Sequence, residues 1–290
     1  MTVRVFAPAK VNLSLRVGQL KSDGRHALDS LVVFTRTYGD GLHFEQAREL
    51  ALNIDGPFAE SLLHQSDNLV LRAASRLREH NAISSGAIIT LTKSLPIASG
   101  IGGGSADAAA TLIGLNELWG LSMGYNALAH LAESLGSDVP ACVLGQALRM
   151  TGAGEILQAV PSMPKMGIVL VNPLVPCATG PVFARYDALG SKNNVAYEAL
   201  PDLSTTAMLL TYLYEMPNDL EPAAIAMVPQ IGRILEAIGE TQDVLLARMS
   251  GSGATCFGLY ASLAQAAVAA QTLKNQLASS PIWVEADEIN

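Results

Sequence analysis

The segment Pro96-Ile-Ala-Ser-Gly-Ile-Gly-Gly-Gly-Ser-Ala-Asp-Ala-Ala-Ala110 constrains this chain more than any other stretch. Gly100, Gly102, Gly103 and Gly104 lead directly into an Ala-rich run, which predicts a helix from Ser105 to about Gly120. Glycine lets backbone approach a ligand closely, and a helix start offers unpaired N–H groups at the positive end of its dipole. Together they make an anion site, most often one for phosphate, although a Gly-rich turn can also simply cap a helix. Ser105 and Asp107 suit the first turn. The loop fits neither common nucleotide fingerprint. No Gly-Lys pair exists for a Walker A loop, and a G-x-G-x-x-G pattern begun at Gly100 ends on Ser105. The protein-kinase motif set is also missing.

Composition sharpens that reading. A net charge of −8 and a pI near 5.1 exclude the broad basic field that nucleic acid or an anionic membrane requires. Phosphate must then be gripped locally, by backbone amides and a few cations. Half the residues are hydrophobic and 15% are charged, so 290 residues form one large globular domain or two modest ones. Cys142, Cys177 and Cys256 are too scattered for a disulfide framework or a structural metal site. With no apolar signal region and no membrane-length apolar run, a cytoplasmic protein is expected. Monomer and homodimer both remain open.

Val3, Val5, Ala7, Ala9, Val11, Leu13, Leu15 and Val17 share one parity, which predicts a strand interrupted at Pro8, with Lys10 and Asn12 pointing off the core. Ser22-Asp23-Gly24 signals a hairpin to a strand near 30–37. Helical patterns follow Asn68 through His80 and cover 125–135, with a strand at Ile88–Leu91 between the first of these and the glycine loop. Asp138 is placed as a helix N-cap with Pro140 in the first turn. Further on, a strand at Met166–Asn172 precedes a short helix near Phe183 and an irregular connection over 187–206. Helices at 206–215, 222–239 and 263–278 frame two strands that flank Ser250-Gly-Ser-Gly253, and a strand at 282–285 closes the chain. The lack of regular β-α alternation favours α+β, with a boundary near residue 155 separating 1–155 from 156–290.

Three segments carry a resemblance. Ala7-Pro-Ala-Lys-Val-Asn-Leu-Ser-Leu15, Pro96–Ser105 and Ser250-Gly-Ser-Gly-Ala-Thr-Cys-Phe-Gly258 resemble, in order and spacing, the three motifs of the GHMP kinases. The elements Asp23-Gly24-x-His26, Ser66-Asp67-Asn68-Leu69, Gly136-Ser137-Asp138-Val139-Pro140 and Asn218-Asp219-Leu220-Glu221 resemble the branch that acts on a cytidine-diphosphate-linked methylerythritol. That resemblance implies a two-domain α+β fold with the active site in the inter-domain cleft. It implies transfer of the γ-phosphoryl group of ATP, with Mg²⁺, to the 2-hydroxyl of that substrate in the non-mevalonate route to isoprenoid precursors. A kinase of mevalonate, homoserine or a sugar is the alternative, followed by a catalytically silent sensor of the same fold.

The resemblance also assigns residues. Lys10 and Asp138 take the catalytic positions as one charge pair, although taken alone they read as a solvated lysine and a helix cap. The backbone amides of Gly100, Ile101, Gly102, Gly103 and Gly104, with Ser105, would hold the ATP phosphates, Pro96 and Ser99 would belong to the same ATP-binding stretch, and Asn68 and Lys93 would lie near adenine. Alone, Asn68 reads as a turn residue and Lys93 as a surface charge. Asn12, Arg25, His26, Asp138 and Phe183 would bind the cytidine substrate. Arg25 stands where the family commonly has tyrosine, and its guanidinium can stack on the base or pair with the diphosphate. By the same analogy Ser105 would help position Mg²⁺, with direct contact between the ion and the protein left open.

Overall fold

Strand β1 (Thr2–Asn12) pairs only with β3 (His26–Ala47) among the described residues, and it runs through Pro8 without interruption. An edge strand tolerates proline because the missing N–H costs no ladder bond on its open side. The break expected at Pro8 falls instead at Leu13–Leu15, before β2 (Arg16–Leu20). The computed structural model describes residues 2–22, 24–62, 67–190, 195 and 197–289. Asp23 of the expected hairpin turn, Ser66, and residues 191–194 and 196 of the expected irregular connection lie outside the described residues.

The β2–β3 hairpin forms with Val17 opposite Leu28, but its return strand begins at His26 and extends over 22 residues. β3 therefore serves two compact units. The first comprises residues 1–10, 38–97 and 102–145; the second comprises 11–37, 98–101 and 146–290.

In the first unit β4 (Leu50–Asp55) pairs parallel with β5 (Gly86–Thr92), and β5 pairs antiparallel with β3 over Gly41–Ala47. Helix α1 (Leu69–His80) is capped by Asn68, whose side chain accepts from the Val70 amide at 2.9 Å. Helix α2 (Gly103–Leu118) begins two residues earlier than the sequence suggests, because Gly102 turns the chain into it in a left-handed conformation. Ala106, Ala108, Ala109, Ala110, Leu112 and Leu115 are all buried, so α2 has no polar stripe and runs through the core. Gly114 lets it approach the Phe44 ring, which a Cβ there would meet at 2.2 Å. Helix α3 (Tyr125–Ala132) ends three residues short of the expected 135, and α4 (Val139–Leu144) follows with Pro140 in its first turn.

In the second unit β6 (Leu148–Gly152) pairs with β3 and with β7 (Ile156–Ala159). β8 (Met166–Asn172), buried at all seven positions, is flanked by β10 (Cys256–Tyr260) and β11 (Trp283–Ile289), and β9 (Leu246–Met249) lies on the other side of β10. The helices are α5 (Thr179–Ala188), α6 (Thr206–Glu215), α7 (Glu221–Met227), α8 (Gln230–Gly239) and α9 (Leu263–Gln276). The single helix expected over 222–239 is two, since the chain leaves helical geometry at Val228, just ahead of Pro229. Mixed strands and helices without regular alternation give the expected α+β class. No helix among the described residues is long and apolar enough to cross a membrane.

Candidate active site

The strand parity that groups Lys10 with Asn12 suggests two solvated side chains, but both are buried. In the first unit Lys10 Nζ lies 2.8 Å from Asp138 Oδ2, so the expected charge pair is present. The partners differ in access: the Lys10 side chain is 4% exposed and that of Asp138 is 37% exposed. Asp138 occupies the N-cap position of α4, yet its side chain makes no capping hydrogen bond. The cap reading is therefore corrected, because the carboxylate turns to the lysine instead. The ammonium sits behind the carboxylate and leaves the carboxylate's outer side reachable. Nearby, the Cys142 thiol is buried, which pushes its pKa up to about 12; that leaves it a protonated packing group.

Lys10 also packs on the glycine loop. A Cβ on Gly102 (φ +64°) would lie 3.1 Å from Lys10 Cβ and 3.2 Å from Lys10 Cε. Gly102 is the N-cap of α2 and offers no side chain, and the first helical bond runs from the Ala106 amide to the Gly102 carbonyl. The amides of Gly103, Gly104 and Ser105 thus belong to an uncapped helix start, the arrangement that binds anions. At Gly104 a Cβ would meet nothing within 4 Å, leaving that side of the turn open.

Lys93 is not a surface charge. Its backbone is fixed by bonds to the Asp55 carbonyl and from the Phe58 amide, and its ammonium donates to Asp40 Oδ2 at 2.5 Å and Asp107 Oδ2 at 2.7 Å. All three side chains are at most 4% exposed. Burial alone would lower the lysine pKa, but the two carboxylates outweigh it and hold the pKa above its ordinary value. Burial, reinforced by Asp40 and opposed by Lys93, pushes the Asp107 carboxyl up to about 7. Asp107 is therefore no first-turn helix charge: α2 starts early enough to put it in the second turn, facing inward.

The remaining loop residues belong to the second unit. Ser250 Oγ donates to the Gly100 carbonyl at 2.9 Å, and the Thr255 amide donates to the Ser99 carbonyl at 2.9 Å. Gly100 (φ +75°) admits no side chain, since a Cβ would come within 2.5 Å of the Ser250 carbonyl oxygen. The second glycine turn is thus a clamp on Ser99 and Gly100, and the Ile101 side chain is buried in the fold. The Asn12 amide donates to the same Ser250 Oγ at 3.0 Å, and Asn12 Nδ2 donates to Ser30 Oγ at 2.7 Å.

His26 and Phe183 come together as a stacked pair, with ring centroids 5.2 Å apart and planes 26° apart. His26 Nδ1 contacts the Gly18 carbonyl at 2.9 Å, which requires the proton on that nitrogen, and Nε2 faces Asp187 at 3.3 Å. Tyr186 closes the other side edge-on while donating to the Val17 carbonyl at 2.7 Å. Phe183 is partly buried here, not a sealed core aromatic. Arg25 precedes His26 at the start of β3 and is exposed.

Sequence reasoning expected the Ser250–Gly253 turn to pack on the phosphate loop and passed over Asp40, Tyr186 and Asp187. For Asp40 one signal was readable: an acidic residue inside the strand pattern Tyr38-Gly-Asp-Gly-Leu-His-Phe44 demands a buried cation.

Comparison with known proteins gives the family. Residues 68–146 match the GHMP kinases N terminal domain, and 196–279 match the GHMP kinases C terminal domain. The chain is 48% identical to the 4-diphosphocytidyl-2-C-methyl-D-erythritol kinase of Paramagnetospirillum magneticum, over 96% of this chain and 95% of that one. It is 45% identical to the Hyphomonas neptunium enzyme of the same name, over 98% and 95%. The crystal structure of a 4-(cytidine 5'-diphospho)-2C-methyl-D-erythritol kinase superposes with a TM-score of 0.78 at 29% identity, covering 99% of each chain. A homoserine kinase from Cytophaga hutchinsonii (TM-score 0.74, 19% identity, 100% of this chain and 94% of that one) shares the fold. The chain belongs to the GHMP kinases and, within them, to the 4-diphosphocytidyl-2-C-methyl-D-erythritol kinase family.

Proposed function

We propose that this protein phosphorylates the 2-hydroxyl of 4-diphosphocytidyl-2-C-methyl-D-erythritol with ATP, giving the 2-phosphate and ADP, as a cytoplasmic enzyme of the non-mevalonate route. The observation that carries the reading is the Lys10–Asp138 pair at 2.8 Å, with Lys10 packed on Gly102 at the uncapped start of α2. One ammonium thereby links a reachable carboxylate to the amides proposed to hold phosphate.

The substrate hydroxyl oxygen attacks the γ-phosphorus, the bond from that phosphorus to the β–γ bridging oxygen breaks, and ADP leaves. Asp138 takes the hydroxyl proton, and Lys10 fixes the carboxylate and stands beside the charge that develops. Such transfers ask the protein chiefly for positioning and charge neutralisation, so the amides of Gly103, Gly104 and Ser105 carry as much of the task as the base. Pro96, Ser99, Gly100, Ile101 and Gly102 shape the turn that presents them, and Asn68 and Lys93 belong to the nucleotide side. His26, Phe183, Arg25 and Asn12 take the cytidine-bearing substrate, the stacked ring pair offering a flat surface to a pyrimidine. In this reading 1–155 is the nucleotide- and substrate-binding half and 156–290 the half that supplies Phe183 and the Ser250 clamp.

Mg²⁺ enters as part of the ATP substrate. Among the described residues no group of three His, Cys, Asp or Glu could hold a metal, and Mg²⁺ commonly rides on substrate phosphates with few protein ligands.

The test is a coupled ADP-release assay with Mg·ATP and a panel of diphosphocytidyl-methylerythritol, mevalonate, homoserine and galactose. Turnover confined to the cytidylated alcohol and lost in Asp138→Ala supports the reading. Turnover with another alcohol alone replaces the substrate, and ATP binding without any turnover favours the sensor.

A further inference from the structure

The proposed reaction leaves unused the two carboxylates that enclose the Lys93 ammonium. Asp40 is well supplied with donors: Oδ1 accepts from the Ser94 amide at 2.6 Å and the Leu95 amide at 2.9 Å, and Oδ2 accepts from Lys93. Asp107 has Lys93 on Oδ2, while its Oδ1 is buried without a hydrogen-bond partner. Two buried carboxylates against one ammonium carry a net charge of −1 when both are ionised. The donors are gathered on Asp40, so a proton on the pair belongs on Asp107, whose Oδ1 has no donor. The cluster also touches the proposed phosphate site, for a Cβ built on Gly103, the first residue of α2, would lie 3.1 Å from Lys93 Nζ and 3.7 Å from Asp40 Oδ2.

We propose that Asp107 is a positioning residue for the nucleotide: its carboxyl takes up a proton when polyphosphate docks on the first turn of α2, neutralising the charge buried under that turn. The inference rests on the assignment of ATP phosphates to that turn. The groups that face Asp107 are Lys93 beyond β5, Asp40 of β3 and, from α4, the Cys142 thiol, which is itself held protonated by burial. Asp107, held up to about 7 by burial, exchanges a proton near neutrality, and anionic phosphate docked on the turn above it favours its neutral form. By linkage, nucleotide binding then tightens as pH falls through the neutral range.

The experiment is titration calorimetry of the full chain with ADP and Mg²⁺ at pH 7.5, in buffers of different ionisation enthalpy, for wild type and Asp107→Asn. Wild type should take up a measurable fraction of a proton more than the variant. Its affinity should gain about tenfold over the variant's between pH 8.5 and 6.5, the order expected when one linked proton is taken up across that window. Identical proton counts, even with a changed melting temperature, would reduce Asp107 to a structural role and overturn the proposal. Carboxyl ¹³C NMR of wild type decides the matter if the variant does not fold. One aspartate must titrate near neutrality and move upward on adding ADP, and its absence overturns the proposal. Binding of ADP without a linked proton refutes this inference alone, whereas no ADP binding at all refutes the nucleotide assignment and this inference with it.

Discussion

Lys10 and Lys93 are two buried lysines in one unit, each held by aspartate, and they differ in what their partners can reach. Lys10 has one carboxylate, and that carboxylate is about one-third exposed. Lys93 has two, both sealed. An ion pair with one open partner is suited to chemistry, because a substrate can meet the carboxylate without dismantling the fold. A sealed pair is suited to holding backbone, and Asp40 does so directly by gathering the amides of Ser94 and Leu95 at the entrance to the glycine loop. Burial of the partner, not of the lysine, separates the two roles.

The contrast is broken most forcefully by removing one member of each pair. Asp138→Asn should lower kcat by about 10²–10⁴-fold, the usual worth of a positioned base, and should cost less stability than Lys93→Met because the amide oxygen can still accept from the Lys10 ammonium; steady-state kinetics and a melting curve together check it. Lys93→Met should do the reverse in order of cause. It leaves two buried carboxylates unpaired, costing about 3–5 kcal/mol in urea unfolding, while kcat of the protein that stays folded should be near wild type and any direct effect on nucleotide should appear in the KM for ATP. If Lys93→Met folds normally with poor kcat, the distinction between the lysines fails.

The glycines sharpen the same contrast at lower amplitude. Gly102→Ala forces a side chain into a left-handed position at 3.1 Å from Lys10, and should cost about 1–3 kcal/mol with a disproportionate loss of kcat. Gly104→Ala meets nothing in the fold and improves helix propensity, so stability should hold or rise by about 0.5–1 kcal/mol. A raised KM for ATP in a stable Gly104→Ala protein would report close approach of phosphate to that turn.

The mildest probe is pH. The folded Asp107 carboxyl lies above its unfolded value of 3.8, at about 7. The folded state therefore binds the proton more tightly, and the stability it contributes is complete below about pH 4 and lost as pH rises through 7. Urea unfolding of Asp107→Asn should lack this fall between pH 4 and 7, visible as a difference curve against wild type.

These residues also mark how far the sequence could be read. The glycine run followed by alanines announced an uncapped helix start, and Asp138-Val-Pro announced a short helix with the acid at its head. The helix after Asn68, the β8 run of apolar residues and the Ser250 turn were legible for the same reason: each depends on neighbours a few positions away. The burial of Lys10 and Lys93 was not legible locally, because strand parity and polarity make both look solvated; the Lys10–Asp138 pair was expected from the family motif and not from the strand.

Local chemistry thus determined the elements, the left-handed glycines and the family's motifs, since backbone preference and helix capping act over a turn or less. Only the tertiary structure decided which carboxylate met which ammonium and which remained open. Asp40 and Lys93 are 53 residues apart, and Lys10 and Asp138 lie farther still. The energy of a buried charge depends on its surroundings in space, which no local window of sequence contains.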